Sequence, residues 1–183
     1  MLVPTTVEAA ALDAHGAPVE VCGFGLAAAG VGAMAAIARH APKRIVLAGV
    51  AGTYDGDRAP VGAAVVPARV RCVGIGAGGS SAAELGFAAT DEVSLAGDRG
   101  LALSVAAASG SAAEANARRG DHPGAVLEEM EGYSVALAAT TMSAVCVMVR
   151  GISNLAGDRD RARWRMEAAL AAVQTALDRI LAP

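Results

Sequence analysis

Apolar residues in this chain form short runs that alternate with Ala-rich segments. Runs rich in Val and Ile, such as 43–52 (KRIVLAGVAG) and 143–153 (SAVCVMVRGIS), have the length and β-branched content of buried strands. Apolar positions in the last segment recur every three or four residues, at Met166, Leu170, Val173, Leu177 and Ile180. That spacing predicts an amphipathic helix, and Asp158 or Asp160 is expected to cap its start.

The same criteria predict an alternation of strands and helices along the chain. Strands are expected at 1–7, 17–25, 43–52, 61–74 (broken at Pro67), 100–109 and 143–153. Helices are expected at 27–42, 110–121 and 130–142, besides the last one, and 74–86 is expected to be a loop. No repeat, linker or low-complexity tail is evident, so residues 1–183 are expected to form one domain. The alternation favours an α/β fold with a mixed or mainly parallel sheet, whose sites form where strands end.

Composition and charge exclude several classes of partner. The chain is 54% hydrophobic, but the excess is Ala, and no apolar run long enough to span a membrane is free of charge, Gly or Pro. A net charge of -3 without a basic stripe argues against nucleic acid and anionic membranes. Cys22, Cys72 and Cys146 are odd in number and far apart, which suits buried thiols in a reducing cytosol. The first ten residues lack a signal-peptide pattern, so a cytoplasmic protein is expected.

Two polar stretches interrupt the apolar pattern. Glu128, Glu129 and Glu131 crowd together before an apolar run. Acids are favoured at a helix N-terminus by the helix dipole, but paired carboxylate oxygens also match the vicinal hydroxyls of a sugar. The second stretch follows another predicted strand, where Arg150 ends an apolar run and Asn154 lies in a polar loop. An Arg that emerges from a core strand requires a partner.

Together these stretches resemble the nucleoside phosphorylase and nucleosidase superfamily. EEMEGYSVALAA (128–139) is similar to a Glu-Met-Glu segment that opens a helix, and VMVRGISNLAGDRDRARW (147–164) to an Arg-x-Ile-Ser-Asp/Asn segment after the next strand. GVGAMAA and LAGVAGTY also match, in the same order, and the resemblance covers nearly the whole chain. GISNLAGDRDRARW is most similar to the futalosine hydrolase family, which acts in an alternative menaquinone pathway.

The resemblance implies a three-layer α/β/α sandwich with a central mixed β-sheet, and cleavage of the bond between ribose and a purine. It implies a purine nucleoside substrate of the futalosine kind, no metal or organic cofactor, and a homo-oligomer. Glu131 would hold the ribose hydroxyls, with Glu129 and Met130 near the sugar, and Arg150 would help to position the attacking water. The resemblance also implies substrate contacts for Gly49, Val50, Ala51, Gly52, Ser153 and Asn154.

Asn154 bears on which purine is cleaved. Carboxylates near the ribose stabilise the positive charge that develops as the glycosidic bond breaks. Relatives that cleave adenine carry Asp at the Asn154 position, where it can protonate the purine as a general acid. Asn cannot do so, but its amide can both donate and accept, which suits a 6-oxopurine such as hypoxanthine.

Departures from the family pattern keep alternatives open. Related hydrolases carry a water-activating Glu just after the first strand, and here the nearest acid is Glu8, while a stricter alignment places that Glu at Ala10. The base is therefore Glu8 or is missing. Tyr133 and Trp164 are the aromatic candidates to cover a ligand, and the poorly matching segment 70–100 is expected to be trimmed or to form a changed lid.

Three other functions remain beside hydrolysis of futalosine. Phosphorolysis of 6-oxopurine nucleosides would need no base, because phosphate is itself the nucleophile. A methylthioadenosine/adenosylhomocysteine nucleosidase would share the fold but is disfavoured by Asn154. A nucleoside-binding protein on a degraded scaffold would be consistent with Ala10.

Overall fold

A mixed β-sheet forms the centre of the molecule in the computed structural model, which describes residues 1–86 and 90–182. Its two longest strands, β3 (Arg44–Thr53) and β11 (Val145–Leu155), pair in parallel over their whole length. On one side β1 (Leu2–Val3) pairs in parallel with β3, and β2 (Glu20–Val21) follows it. Short apolar runs suffice for these strands because the sheet is covered on both faces.

Farther along the edge of β3 that pairs with β1, the neighbouring strand is antiparallel. β10 (Ala125–Glu129) is antiparallel to β3, and β9 (Leu101–Ser104), β5 (Arg69–Cys72) and β8 (Glu92–Ser94) follow in that order. The bounds of the remaining strands are Ala64–Val65 (β4), Gly76–Ala77 (β6) and Ser80–Ser81 (β7). β4 pairs antiparallel with β11, while β6 and β7 form a separate small hairpin.

Helices cover both faces of the sheet. Their bounds are Thr6–Ala11 (α1), Leu26–His40 (α2), Ala112–Asp121 (α3), Gly132–Thr141 (α4) and Met166–Ile180 (α5), with a 3-10 turn at Arg161–Arg163. Alternate residues of β3 point to opposite faces, as the pleat of a strand requires. Ile45 and Leu47 pack in the cluster of α2 and α4, whereas Val46 and Ala48 pack with α5. The expected three-layer α/β/α sandwich with a mixed central sheet is confirmed.

Several predicted boundaries of strands and helices are wrong. The strand expected at 1–7 ends at Val3 because Thr5 caps α1, its hydroxyl accepting a hydrogen bond from the Val7 amide at 3.2 Å. Asp160 caps the 3-10 turn, where it accepts from the Ala162 amide, and not α5. Only Glu20–Val21 of the segment 17–25 is a strand.

The largest difference between the predicted and the observed secondary structure lies in the acidic stretch. Ala125–Glu129 forms β10, a strand missed by the sequence prediction, and all five of its residues are buried. Glu128 and Glu129 therefore end a strand held between β3 and β9, and α4 begins only after Glu131. A five-residue strand that contains two acids has no alternating or continuous apolar pattern to reveal it.

Other expectations concern the thiols, the middle segment and membranes. Cys22, Cys72 and Cys146 are free and buried, as predicted. Within the poorly matching segment 70–100, residues 87–89 lie outside the described residues. Across the described ranges, no helix combines the length and apolar character needed to cross a bilayer.

Candidate active site

A cleft at the ends of the central strands gathers most of the predicted site residues. It is lined by Pro4, Thr5, Glu8, Phe24, Val50, Ala51, Gly52, Ala108, Glu128, Glu129, Met130, Glu131, Ser153, Asn154, Arg159 and Trp164. The candidate residues proposed from the sequence lie on this wall, except Gly49, Arg150 and Tyr133. The position agrees with the rule that α/β sites form where strands end.

Arg150 lies behind the wall and is fully buried, with 0% exposure. Its Nη2 donates to Oε2 of Glu129 and, at 3.1 Å, to Oε2 of Glu131. Burial alone would lower the pKa of Arg150, but the two carboxylates raise it overall. The sequence analysis expected Arg150 to need a partner, and both acids fill that role. Arg150 in turn holds the two carboxylates at the cleft.

Glu129 is the more heavily engaged of the two acids. Its Oε2 also accepts from the backbone amides of Glu131 at 3.0 Å and Gly132 at 2.7 Å, and its Oε1 accepts from the Ser104 hydroxyl. A carboxylate has about four acceptor positions, so Glu129 is nearly saturated by the protein. Its contacts fix the turn from β10 into α4.

Glu131 keeps free acceptor positions on the cleft. Its Oε1 accepts from the Gly25 amide at 3.0 Å, and Oε2 accepts from Arg150. About two acceptor positions remain for hydroxyl groups of a ligand. Burial, with a smaller contribution from the charge of Glu129, raises the pKa of Glu131 despite the opposing effect of Arg150.

Glu8 joins these acids from a distant part of the sequence. It is 6% exposed, lines the cleft and accepts a hydrogen bond from the Thr5 hydroxyl. Ala10 is exposed, because two residues along a helix turn the side chain by about 200°. The structure therefore presents the carboxylate of Glu8, and not position 10, to the cleft.

Asn154 is oriented by its own loop. Its Nδ2 donates to the Leu155 carbonyl at 2.8 Å and more weakly to the Asp158 carbonyl at 3.4 Å. Since both neighbours are acceptors, the NH2 group must face them, and Oδ1 accepts from the Ser153 hydroxyl at 2.7 Å. The atom left for a ligand is Oδ1, which retains one acceptor position.

Glu128 is not the solvated neighbour that its charge suggests. It is 3% exposed and accepts from the Tyr54 hydroxyl at 2.6 Å, from the Ser109 amide and hydroxyl, and from Arg118 at 2.8 Å. Burial and the charge of Glu128 raise the pKa of Tyr54. This network, which sequence reasoning missed, ties the loop after β9 and helix α3 to the end of β10.

Only one of the two aromatic residues proposed to cover a ligand lies at the cleft. Trp164 lines the cleft, whereas Tyr133 belongs to the core and its hydroxyl donates to the Thr90 carbonyl. Phe24 was missed by the sequence reasoning, although it lines the cleft and is 64% exposed. The sequence feature that could have indicated Phe24 is the pair of glycines on either side of it. Gly23 and Gly25 both adopt positive φ.

Gly49 is required by the packing of Arg150. A Cβ at position 49 would lie 2.4 Å from Nη1 of Arg150 and 3.1 Å from Pro4. The guanidinium cannot move away easily, because two carboxylates hold it and it is fully buried. Gly49 thus belongs to the packing behind the wall.

Gly49→Ala is expected to lower the free energy of unfolding by about 1–3 kcal/mol through overpacking. Gly56→Ala is the matched control, because a Cβ there meets nothing within 4 Å, and we expect a change within about 0.5 kcal/mol. Chemical denaturation of both variants measures the difference. Equal stability of the two would show that Arg150 yields to a methyl group.

Metal ligation is not suggested by the side chains. Among residues 1–86 and 90–182, no group of three His, Cys, Asp or Glu side chains is arranged to hold an ion.

Comparisons with known proteins agree with the geometry. No family model matches the chain. The sequence is 34% identical over 185 residues to the futalosine hydrolase of Streptomyces coelicolor, an alignment that covers 86% of this chain and 78% of that protein. The fold is similar to the native structure of futalosine hydrolase from Helicobacter pylori strain 26695, with a TM-score of 0.81, 14% identity and coverage of 98% and 94% of the two chains. A 5′-methylthioadenosine/S-adenosylhomocysteine nucleosidase of Helicobacter pylori, solved with butyl-thio-DADMe-Immucillin-A, also gives 0.81, at 15% identity and with coverage of 98% and 95%.

Proposed function

Because this chain belongs to the futalosine hydrolase family, we propose that it hydrolyses the N-glycosidic bond of futalosine to hypoxanthine and dehypoxanthine futalosine. One observation carries the proposal. Glu8, Glu131 and Asn154, which come from three distant segments, line a single cleft. They supply a base, a clamp for a sugar and an acceptor for a purine N–H.

In the proposed mechanism Glu8 removes a proton from the water that attacks the anomeric carbon, a contribution of general-base catalysis. The water oxygen bonds to that carbon while the bond to the purine nitrogen breaks and its electron pair passes to the purine. The purine leaves as an anion and becomes hypoxanthine by taking a proton from solvent, and the proton held by Glu8 returns to solvent. Glu131 accepts from the ribose hydroxyls, and its charge stabilises the oxocarbenium character of the transition state. Oδ1 of Asn154 accepts from an N–H of the purine.

Arg150 and Glu129 contribute by holding Glu131. Arg150 donates to both carboxylates, and Glu129 also accepts from the Glu131 amide. This support keeps the Glu131 carboxylate in one orientation toward the sugar, as transition-state stabilisation requires. In this proposal Arg150 acts as a positioning residue, because it contacts Glu129 and Glu131 and does not itself line the cleft.

Hydrolysis is favoured over phosphorolysis by the charge of the cleft. Its wall carries four carboxylates, those of Glu8, Glu128, Glu129 and Glu131. Arg150 and Arg118 are engaged by these acids, and Arg159, which also lines the cleft, lies 5.1 Å from the Trp164 ring. A phosphate dianion would meet repulsion beside Glu8, whereas water meets a base. The carboxylate of Glu8 on the cleft wall supports an enzyme over a purely binding protein on a degraded scaffold.

The proposed function is tested with futalosine, inosine and 5′-methylthioadenosine as substrates, each with and without phosphate and without added metal or cofactor. Release of hypoxanthine from futalosine in phosphate-free buffer is the expected result. A strict phosphate requirement would establish phosphorolysis instead. Preferential release of adenine from methylthioadenosine would establish the other nucleosidase activity, and binding without release of any base would leave only a binding role.

The raised pKa of Glu131 predicts the pH dependence of the reaction. The carboxylate must be ionised to stabilise the sugar cation, and burial raises its pKa above the ordinary value of 4.5. Activity is therefore expected to fall, as the pH is lowered, at a pH above 4.5. A pH profile of kcat/KM measures this limb. Full activity down to pH 4.5 would show that an ionised Glu131 is not needed or that its pKa is not raised.

We also propose that residues 1–183 form one catalytic domain that assembles into a homo-oligomer in the cytoplasm. The continuous sheet supports a single domain. Exposed Val31, Met34 and Leu137 on the paired helices α2 and α4 offer an apolar surface that supports assembly. The free buried thiols are consistent with a reducing compartment. Light scattering during gel filtration tests the assembly.

A further inference from the structure

Arg159 and Trp164 form a cation–aromatic pair on the wall of the cleft. The guanidinium carbon of Arg159 lies 5.1 Å from the centroid of the Trp164 ring, within the range of a cation–π contact. The indole N–H of Trp164 donates to the Asp158 carbonyl at 3.0 Å, which fixes the ring. Asn154 donates to the same carbonyl at 3.4 Å, so the pair belongs to the loop that also orients the purine-side residue.

Arg159 has no acidic partner of its own in the part of the chain that the structure describes. Its neighbours Asp158 and Asp160 pair instead with Arg163, at 2.8 Å and 3.7 Å. Within residues 1–86 and 90–182, no ion pair or hydrogen bond engages the Arg159 guanidinium, and no other basic side chain lines the cleft. A free fork of donors on an otherwise acidic wall is suited to an anionic part of the ligand.

We propose that Arg159, stacked on Trp164, binds the anionic aromatic substituent that the substrate carries on its ribose. The inference rests on the proposed hydrolysis of futalosine, which differs from inosine by an aryl ketone that ends in a carboxylate on the 5′ side. The guanidinium can form two parallel hydrogen bonds with that carboxylate, and the indole can pack against the aryl ring. The same carboxylate is repelled by the acids around the ribose, which orients the substrate in the cleft.

The test compares kcat/KM for futalosine, its carboxyl methyl ester and inosine in the wild type, Arg159→Gln and Arg161→Gln. Arg161 is the matched control, since its guanidinium lies 5.9 Å from the same ring but does not line the cleft. The wild type is expected to prefer futalosine over the ester. Arg159→Gln is expected to lower kcat/KM for futalosine about tenfold, the loss of one charged hydrogen bond. It should leave the ester and inosine nearly unchanged, and Arg161→Gln should leave all three unchanged.

Two results would overturn the inference. One is a wild type that cleaves the acid and the ester equally well, because the carboxylate then has no partner. The other is an equal loss on futalosine, ester and inosine in Arg159→Gln, which would place the guanidinium on the ribose or the purine. Failure of the proposed function is distinct and appears earlier, as a wild type that releases no hypoxanthine from futalosine.

Discussion

Glu8→Gln is expected to slow the release of hypoxanthine from futalosine by about 10²–10⁴-fold. The amide keeps the size of the side chain and can still accept from the Thr5 hydroxyl, but it cannot take a proton from water. Because the substrate contacts of Glu131 and Asn154 are preserved, the loss should appear in kcat, with little change in KM. Steady-state assays of hypoxanthine release measure both.

The controls for Glu8 separate its chemistry from its position. Glu167→Gln removes an exposed carboxylate in the first turn of α5 and should not change activity. Ala10→Glu, added to Glu8→Gln, places an acid where the family alignment expects the base. Since Ala10 is exposed on the other side of α1, we expect no rescue. Recovery of activity in the double variant would show that position 10 reaches the cleft, and undiminished kcat in Glu8→Gln would remove Glu8 from the mechanism.

Arg150→Met is expected to lower the free energy of unfolding by about 3–5 kcal/mol, because it leaves two buried carboxylates without their cation. Both Glu129 and Glu131 are nearly inaccessible to water. The loss should diminish at low pH. Burial already raises the pKa of Glu131, and removal of Arg150 raises it further above the unfolded value, so the variant loses stability as the pH rises through that pKa. Denaturation curves at several pH values measure this effect.

The control for Arg150 is a surface pair of the same chemistry. Arg39 donates to Glu20 at 2.6 Å, but its side chain is 60% exposed, and Arg39→Met is expected to cost less than about 1 kcal/mol. Adding Glu131→Gln to Arg150→Met should recover part of the stability, because one buried charge is then removed. A stability loss in Arg150→Met no larger than that in Arg39→Met would contradict the role given to the buried cluster.

Local pattern was sufficient for the frame of this protein. Two apolar runs, 43–52 and 143–153, correspond to β3 and β11, and the spacing of Met166 to Ile180 corresponds to α5. These elements are dictated by periodicity and by burial on both faces of the sheet, which a sequence records directly. The sequence did not predict β10, because its acids are satisfied by partners far along the chain, such as Ser104 and Arg150.

The sequence alone determined the α/β alternation, the acidic stretch before α4, and the Arg and Asn after the next strand. Only the tertiary structure decided what each polar group does. Glu128, Glu129 and Glu131 are alike in sequence, yet the first supports a loop, the second a turn, and the third keeps acceptors on the cleft. Glu8 enters the cleft because of the rotation of a six-residue helix. The reason is physical: periodicity depends on neighbours along the chain, whereas the partner of a buried charge is fixed by strands and loops that meet only in the folded state.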